Sequence, residues 1–541
     1  MDKRTLLAVV LSLALLMGYQ YFFPNARPFT PKPVQQTGEA PAQGQVSTGD
    51  QAPAKAPIMK RQKALVTKDE GEGTGKDIVV EGALYTAVFN SRGAGLKSFK
   101  LKGYRKDLEK DAPLVEMVNI GGTAHYPLAA TFPESSIDIP ADVLYEASAD
   151  SVDIPDAAGA KELVFSWSYP GALRVDKVYT FYPDRYAFDL EVRVTNLSND
   201  TIREQALLSW RQYVDPADKG SRYSHVGPIS YVKDKVVSEK IKNLGEKKFS
   251  DPNVSWGGFE TKYFIAAMIP EQPSLTRFAV SKDSGNTVFS DLEGPKTIIP
   301  PGQSGAFRYS LYVGPKEHSR LQVQGVGLEN AIDFGSWVKW LALPLLKALK
   351  WIVTYVHNYG VAIIILTILV KLIFWPLGNI SYRSMKGMQK LQPQMKQLQE
   401  KYKDDKAKLQ QETMALYKAN KVNPMSGCLP MLIQLPVFFG LYRALLYSIE
   451  LRHAPFVFWI QDLSAKDPYY ITPIIMGATM FLQQKMSPTP GGNEMQAKMM
   501  LWMPVIFTFL FLNFPSGLVI YWLFNNILSI GQQYYINRQS S

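Results

Sequence analysis

Lys371 interrupts an apolar run that extends from Ile363 to Phe374. An ionisable side chain within a membrane span costs about 3 kcal/mol or more, so it needs a partner, water or an escape route. Escape is within reach, because Lys371 lies six residues from Leu377, about 9 Å along a helix, and a lysine stem can snorkel that far. Thr367 stands one turn earlier on the same helical face. Gln434, Gln483, Gln484, Asn525 and Asn526 are amides in or near other apolar segments. Amides can simply glue helices together in lipid. Grouped with a lysine, they can instead line a wet cavity open to the cytoplasm, because polar groups at that depth need partners or water.

Other chemistry finds little support. The histidines 125, 225 and 318 are scattered without ligand spacing, which argues against a metal. Gly73-Thr74-Gly75-Lys76 imitates a phosphate loop, but Asp77 stands where a Ser or Thr would hold magnesium. Cys428 is the only cysteine, so no disulfide can form within the chain. No nucleophile is paired with a base. The expectation is a protein without cofactor or metal that is not an enzyme.

The elements that must position Lys371 are legible as composition shifts along 541 residues. Residues 1–23 open with Met1-Asp2-Lys3-Arg4 and continue as an apolar run to Phe23, without a small-residue cleavage site. They are expected to form an uncleaved transmembrane anchor with its start in the cytoplasm. Residues 24–76 hold seven prolines between Pro24 and Pro57 and should form an extended tether. Residues 77–326 alternate with period two, as in Phe188, Leu190, Val192 and Val194, and predict a large antiparallel β-sandwich. Residues 329–350 carry Trp337, Trp340, Leu341, Leu345 and Leu346 with lysines 339, 347 and 350, a pattern suited to a helix lying in the membrane interface.

Five apolar segments follow, at 359–377, 429–446, 470–486, 499–514 and 517–534. With the anchor they predict six spans, several of them short enough to require tilt or local thinning of the bilayer. Residues 377–426 carry ten Lys or Arg against four Asp or Glu, a net +6 within a total of +11. By the positive-inside rule that connection is cytoplasmic, the sandwich lies outside and both termini lie inside. Within 378–426, Met385, Met388, Leu391, Met395, Leu398 and Tyr402 recur every three or four residues. Asp404-Asp405 then turns the chain toward Leu409, Leu416 and Tyr417. This reads as a helical hairpin with one apolar stripe. Its lysines, among them Lys386, Lys390, Lys401, Lys403 and Lys406, suit lipid phosphates and ribosomal RNA equally.

The run Lys421-Val422-Asn423-Pro424 with Gly427-Cys428, together with Asp467-Pro468-Tyr469-Tyr470, Gln484-Lys485-Met486-Ser487-Pro488 and Phe514-Pro515-Ser516-Gly517-Leu518, resembles the YidC membrane-protein insertases of Gram-negative bacteria. The resemblance implies a membrane helical bundle, five of whose six spans form a common core, plus a periplasmic sandwich. It implies insertion and folding of nascent membrane proteins in the inner membrane, alone or beside the Sec translocon. It also implies a hydrophilic groove open to the cytoplasm and closed toward the periplasm, with one positive charge. That charge is usually arginine; the matching position here is Lys371, which keeps the charge but lacks the planar fork. A tyrosine common in the last span corresponds to Trp522. On this reading Lys371, Thr367, Gln434, Trp522 and Asn525 line the groove, while Leu435, Phe438, Met503 and Phe507 guide the apolar segment into lipid. Ribosome contact would fall mainly to the hairpin, because no long basic tail follows Asn537-Arg538-Gln539-Ser540-Ser541. A solute transporter or a periplasmic sugar-binding protein remains the alternative.

Overall fold

The computed structural model describes residues 62–63, 75–122, 125–156, 159–216, 225–335, 337–403, 405–420, 422, 429–486 and 494–539. The expected anchor at 1–23, nearly all of the tether at 24–76, and Lys421, Asn423-Pro424, Gly427-Cys428 and Ser487-Pro488 lie outside the described residues.

Alternating side chains build the sandwich. In the strand Ala187–Asn196, Phe188, Leu190, Val192 and Val194 are buried, and its register with Ser304–Pro315 sets Leu190 opposite Tyr309. That pair lies within a nine-stranded antiparallel sheet. The strand order is 235–238, 227–232, 254–260, 264–270, 304–315, 187–196, 173–181, 161–169 and 146–147. Two five-stranded sheets share a core with it. One runs 114–116, 95–105, 85–90, 77–82, 151–154; the other runs 248–249, 277–282, 287–293, 207–213, 129–131. Aromatic rings make the contact: Phe89 lies 4.6 Å from Tyr179, and Phe99 lies 6.1 Å from Phe188. Antiparallel pairing dominates, but Asp77–Gly82 pairs parallel with Ser151–Ile154. Those strands are far apart in sequence, so the chain can return by the long crossover a parallel pair needs. Buried Lys177 ties the layers by donating to the carbonyls of Gly93, Ala94 and Leu128 at 2.8, 3.2 and 3.0 Å.

Ten described helices follow: α1 (His318–Gln322), α2 (Lys339–Val356), α3 (Tyr359–Ile373), α4 (Trp375–Lys390), α5 (Gln392–Lys401), α6 (Lys406–Ala419), α7 (Leu429–Tyr447), α8 (Ile471–Met486), α9 (Glu494–Phe511) and α10 (Ser516–Gln539). The segment expected as one interfacial helix at 329–350 is a short turn of 3-10 helix, Leu328–Ala331, followed by α2. Helix α2 tolerates Pro344 and stops at His357, whose φ is 53°. Asn358 then starts α3, its side chain accepting from the Val361 N–H at 3.0 Å.

Helix α3 ends at Ile373, and α4 leaves at a bend of 66°. Pro376 sits in the first turn of α4, where its missing N–H breaks no bond. Helix α4 covers the start of the segment expected as hairpin, yet its Ser381 is buried and its Tyr382 bonds to Ser529 of α10. Helices α5 and α6 then form the basic hairpin, around buried Leu391 and Met395.

Among the described residues, no single helix is long and apolar enough to cross a membrane; α3 and α4 pass by length and composition only as a bent pair. The helical core joins Leu345 and Leu349 of α2, Ile363 and Leu366 of α3, Leu441 of α7, Met476 of α8, Phe511 of α9 and Val519 of α10. Ion pairs fix this core to the sandwich. Lys350 bridges Glu317 (3.3 Å) and Glu450, and Arg443 meets Asp333 at 3.0 Å. Arg452 donates to the carbonyls of Arg105 and Lys106 at 2.7 and 3.0 Å.

Candidate functional site, a buried polar face among helices

Helix α10 carries Asn525, Asn526, Ser529, Gln532 and Gln533, all buried. Steps of three and four residues put Asn525, Ser529 and Gln532 on one face, with Asn526 and Gln533 beside them. The face is directed inward, toward α3, α4 and α8. Lys371 Nζ of α3 donates to Ser529 Oγ at 2.6 Å, and that hydroxyl donates to the Asn525 carbonyl at 2.7 Å. Tyr382 of α4 bonds to Ser529 and to Gln483 of α8. Gln532 Nε2 reaches the Trp375 carbonyl at 3.1 Å and Asn379 Oδ1 at 2.9 Å. On the α8 side, Asn526 donates to Thr479 Oγ1 at 3.3 Å and Gln533 to the Met486 carbonyl at 2.7 Å. The Gln533 side-chain oxygen is buried without a partner among the described residues.

Lys371 therefore turns into the bundle and does not snorkel, while its neighbours Leu372 and Ile373 are exposed on the other side. Among the described residues its partner is a neutral hydroxyl and not a carboxylate.

The residues singled out from sequence are distributed as follows. Lys371 meets Ser529, whose hydroxyl donates to the backbone carbonyl of Asn525 in its own helix; Asn525 itself is buried on the same face. Thr367 is buried one turn away, but its hydroxyl donates to the Ile363 carbonyl of its own helix at 2.6 Å. Gln434 lies beside Tyr521, eight residues or about 12 Å before Ser529 along α10. Trp522 packs edge-on against Phe438 at 4.7 Å and stacks at 6.4 Å on Phe507, so α7, α9 and α10 meet around one indole. Its N–H is buried and has no partner among the described residues. Leu435 is half-buried and Met503 exposed, outside that ring cluster.

In the hairpin, Lys390, Lys401 and Lys403 are exposed, and Lys401 lies over the Tyr402 ring at 5.4 Å. Lys386 is half-buried, and the Lys406 side chain lies outside the described ones. Sequence reasoning missed Ser529, Gln532, Gln533 and Tyr382. The spacing 525, 529, 532 was the available signal, since three polar groups on one face of an apolar helix require a common partner or water.

At the sandwich end the helix starts are tied together. Asn358 Nδ2 donates to the Phe456 carbonyl at 3.0 Å, and the Phe456 ring lies so close to Gly360 that a Cβ there would come within 2.0 Å of it. The start of α10 is tied to the same loop, Ser516 N–H to the Ala465 carbonyl at 2.7 Å and Gly517 N–H to the Leu463 carbonyl at 3.0 Å. Among the described residues the arrangement is a polar face on α10 met by one lysine, with the helix starts on the sandwich side tied to one loop.

Comparison with known proteins gives the same regions a history. A family model described as 60Kd inner membrane protein matches residues 351–541, and one described as YidC periplasmic domain matches residues 77–348. A protein named membrane protein insertase YidC from Syntrophus aciditrophicus is 57% identical, with 100% of each chain covered. One of the same name from Geobacter metallireducens is 44% identical, covering 99% of this chain and 98% of its own. A solved structure described as an active YidC insertase with the first transmembrane domain resolved is 20% identical, with a TM-score of 0.38, covering 89% of this chain and 95% of its own.

Proposed function

The chain belongs to the YidC family of membrane protein insertases, inner-membrane proteins with a periplasmic domain that are not enzymes, and from that premise we propose that it inserts nascent membrane proteins through the groove beside Lys371. One observation carries the reading: the only cation interrupting the apolar run of α3 turns inward and meets a buried polar file on α10. In the proposed path the hairpin α5–α6 receives an emerging segment from the cytoplasm. Lys371 attracts an acidic residue of its polar tail, and the hydrated walls formed by Asn525, Ser529 and Gln532 lower the cost of taking backbone into the membrane. The apolar part then moves past Phe438, Trp522 and Phe507, which border lipid, with Leu435 and Met503 beyond them. Burying about 20 apolar residues in lipid supplies the drive, so no nucleotide is required.

The bundle spans the bilayer six times on this reading, counting the segment at 1–23. Helix α3, with 15 residues, rises only about 22 Å, which calls for a tilted bundle or a thinned bilayer. Both termini and the hairpin face the cytoplasm. Lys390, Lys401 and Lys403 contact ribosomal RNA or lipid phosphates, and the Sec translocon is a partner for larger substrates.

The test is insertion of a single-span substrate with an acidic exported tail into nucleotide-free liposomes, read by protease protection. Protection with the wild type above protein-free liposomes, reduced in Lys371→Ala, is the expected result. Equal protection by both proteins would remove the charge from the mechanism, and no protection by the wild type would count against insertion by this protein alone.

A further inference from the structure

A groove that is wet at its cytoplasmic end needs a tight outer end, or ions would pass; the inference below rests on the insertase reading. The outer closure is organised around one carboxylate. Asp467 is 1% exposed, yet both of its oxygens are filled. Oδ1 accepts from the Trp459 indole N–H at 3.0 Å and the Tyr469 N–H at 2.9 Å. Oδ2 accepts from the Thr472 N–H at 2.8 Å and its hydroxyl at 2.6 Å. Burial alone would push this carboxyl up; the donors of Thr472, Tyr469 and Trp459 outweigh it and hold the group below the usual carboxylate range.

These bonds join the loop 454–470 to the first turn of α8. The same loop holds the first turn of α3 through Asn358 and Phe456, and that of α10 through Ala465 and Leu463. Lys466 also bridges to Pro515. Three helices that form the groove therefore end, on the sandwich side, in a single loop. Ile460 and Leu463 of that loop are buried with Ile363, Leu518 and Val519 as an apolar layer between the knot and the polar file.

We propose that Asp467 is a positioning residue that keeps the outer end of the groove shut to ions and water, independently of the residues that receive substrate. Removing the carboxylate leaves the Trp459, Tyr469 and Thr472 donors without acceptors. It also frees the loop from α8 while leaving Lys371 and the α10 face in place.

The full-length protein would be reconstituted in potassium-loaded, nucleotide-free liposomes. Potassium efflux, protease protection of the acidic-tailed substrate and thermal unfolding would be read on the same preparations. Wild type, Asp467→Ala and Trp459→Phe are compared, the last removing one donor only. A fourth protein adds Ala465→Cys and Ser516→Cys to Asp467→Ala in a Cys428→Ser background.

Asp467→Ala should raise efflux about tenfold and Trp459→Phe by about twofold, with insertion retained. Oxidation of the cysteine pair should restore tightness, and reduction should reopen the leak; a merely destabilised fold would not respond in that way. Vesicles as tight as wild type with folded Asp467→Ala would overturn the proposal, as would a leak that the oxidised pair fails to close. Should Asp467→Ala not fold, an unchanged efflux in Trp459→Phe would overturn it equally. Failure of the wild type to insert would instead strike the insertase reading, since efflux is read separately.

Discussion

In the strand Ala187–Asn196, Phe188, Leu190, Val192 and Val194 are buried while Asp189, Glu191 and Arg193 are directed away from the core. In helix α10, Asn525, Ser529 and Gln532 are buried, and the neighbouring α9 exposes Trp502, Ile506 and Phe509. The first pattern suits water outside and an apolar interior. The second inverts it, as expected where lipid surrounds the helices and polar groups must find partners or water within the bundle. Two lysines, one buried and one half-buried, differ accordingly. Lys177 of the sandwich donates to three backbone carbonyls, whereas among the described residues Lys371 donates to one hydroxyl. One is engaged in holding layers together; on the proposed reading the other retains donors for an acidic residue of the substrate.

Substitutions can break this contrast. The largest effect on stability is expected for Lys177→Met, which takes the donor from the Gly93 and Leu128 carbonyls and leaves the Ala94 carbonyl only the Tyr179 hydroxyl; chemical denaturation should read a loss of about 3 kcal/mol with no direct effect on the groove. Gly477→Leu comes next. A Cβ there would lie 2.0 Å from Thr508 Oγ1, so α8 and α9 must separate, at about 2 kcal/mol in detergent stability assays.

Lys371→Ala should reverse the pattern of Lys177→Met, with melting nearly unchanged and insertion of the acidic-tailed substrate lowered about tenfold. Gln532→Leu should lower insertion about threefold, because it removes one hydrated wall without adding charge; an unchanged rate would take that residue out of the groove's function.

The smallest effect concerns pH. Burial pushes the Glu204 carboxyl up from 4.5 to about 7, only partly offset by the Ser135 hydroxyl and the Ser136 N–H, and among the described residues its Oε2 has no partner. Between those values the folded sandwich keeps a proton that the unfolded chain has released. Its stabilising contribution is thus complete below about pH 4.5 and lost as pH rises through about 7. The sandwich should melt lower by about 5 °C at pH 8 than at pH 5, and Glu204→Gln should flatten that slope.

The sequence by itself determined the two solvents. Period-two alternation marked the strands, and a lysine inside the apolar run of residues 363–374 marked the one place where charge needed a reason. These are local properties, set by which side chains stand beside one another along the chain. The tertiary structure decided where Lys371 points, because snorkelling and inward burial have the same sequence and differ only in which helix stands opposite. It also selected Ser529 as the partner, spent the Thr367 hydroxyl on its own helix, and gathered Phe438, Phe507 and Trp522 from three helices around one indole. Asp467 reads in the sequence as a loop aspartate before proline. Only the packing of Trp459 and Thr472 against it made that carboxylate the centre of the outer closure, since hydrogen bonds between distant segments depend on where the chain has folded them.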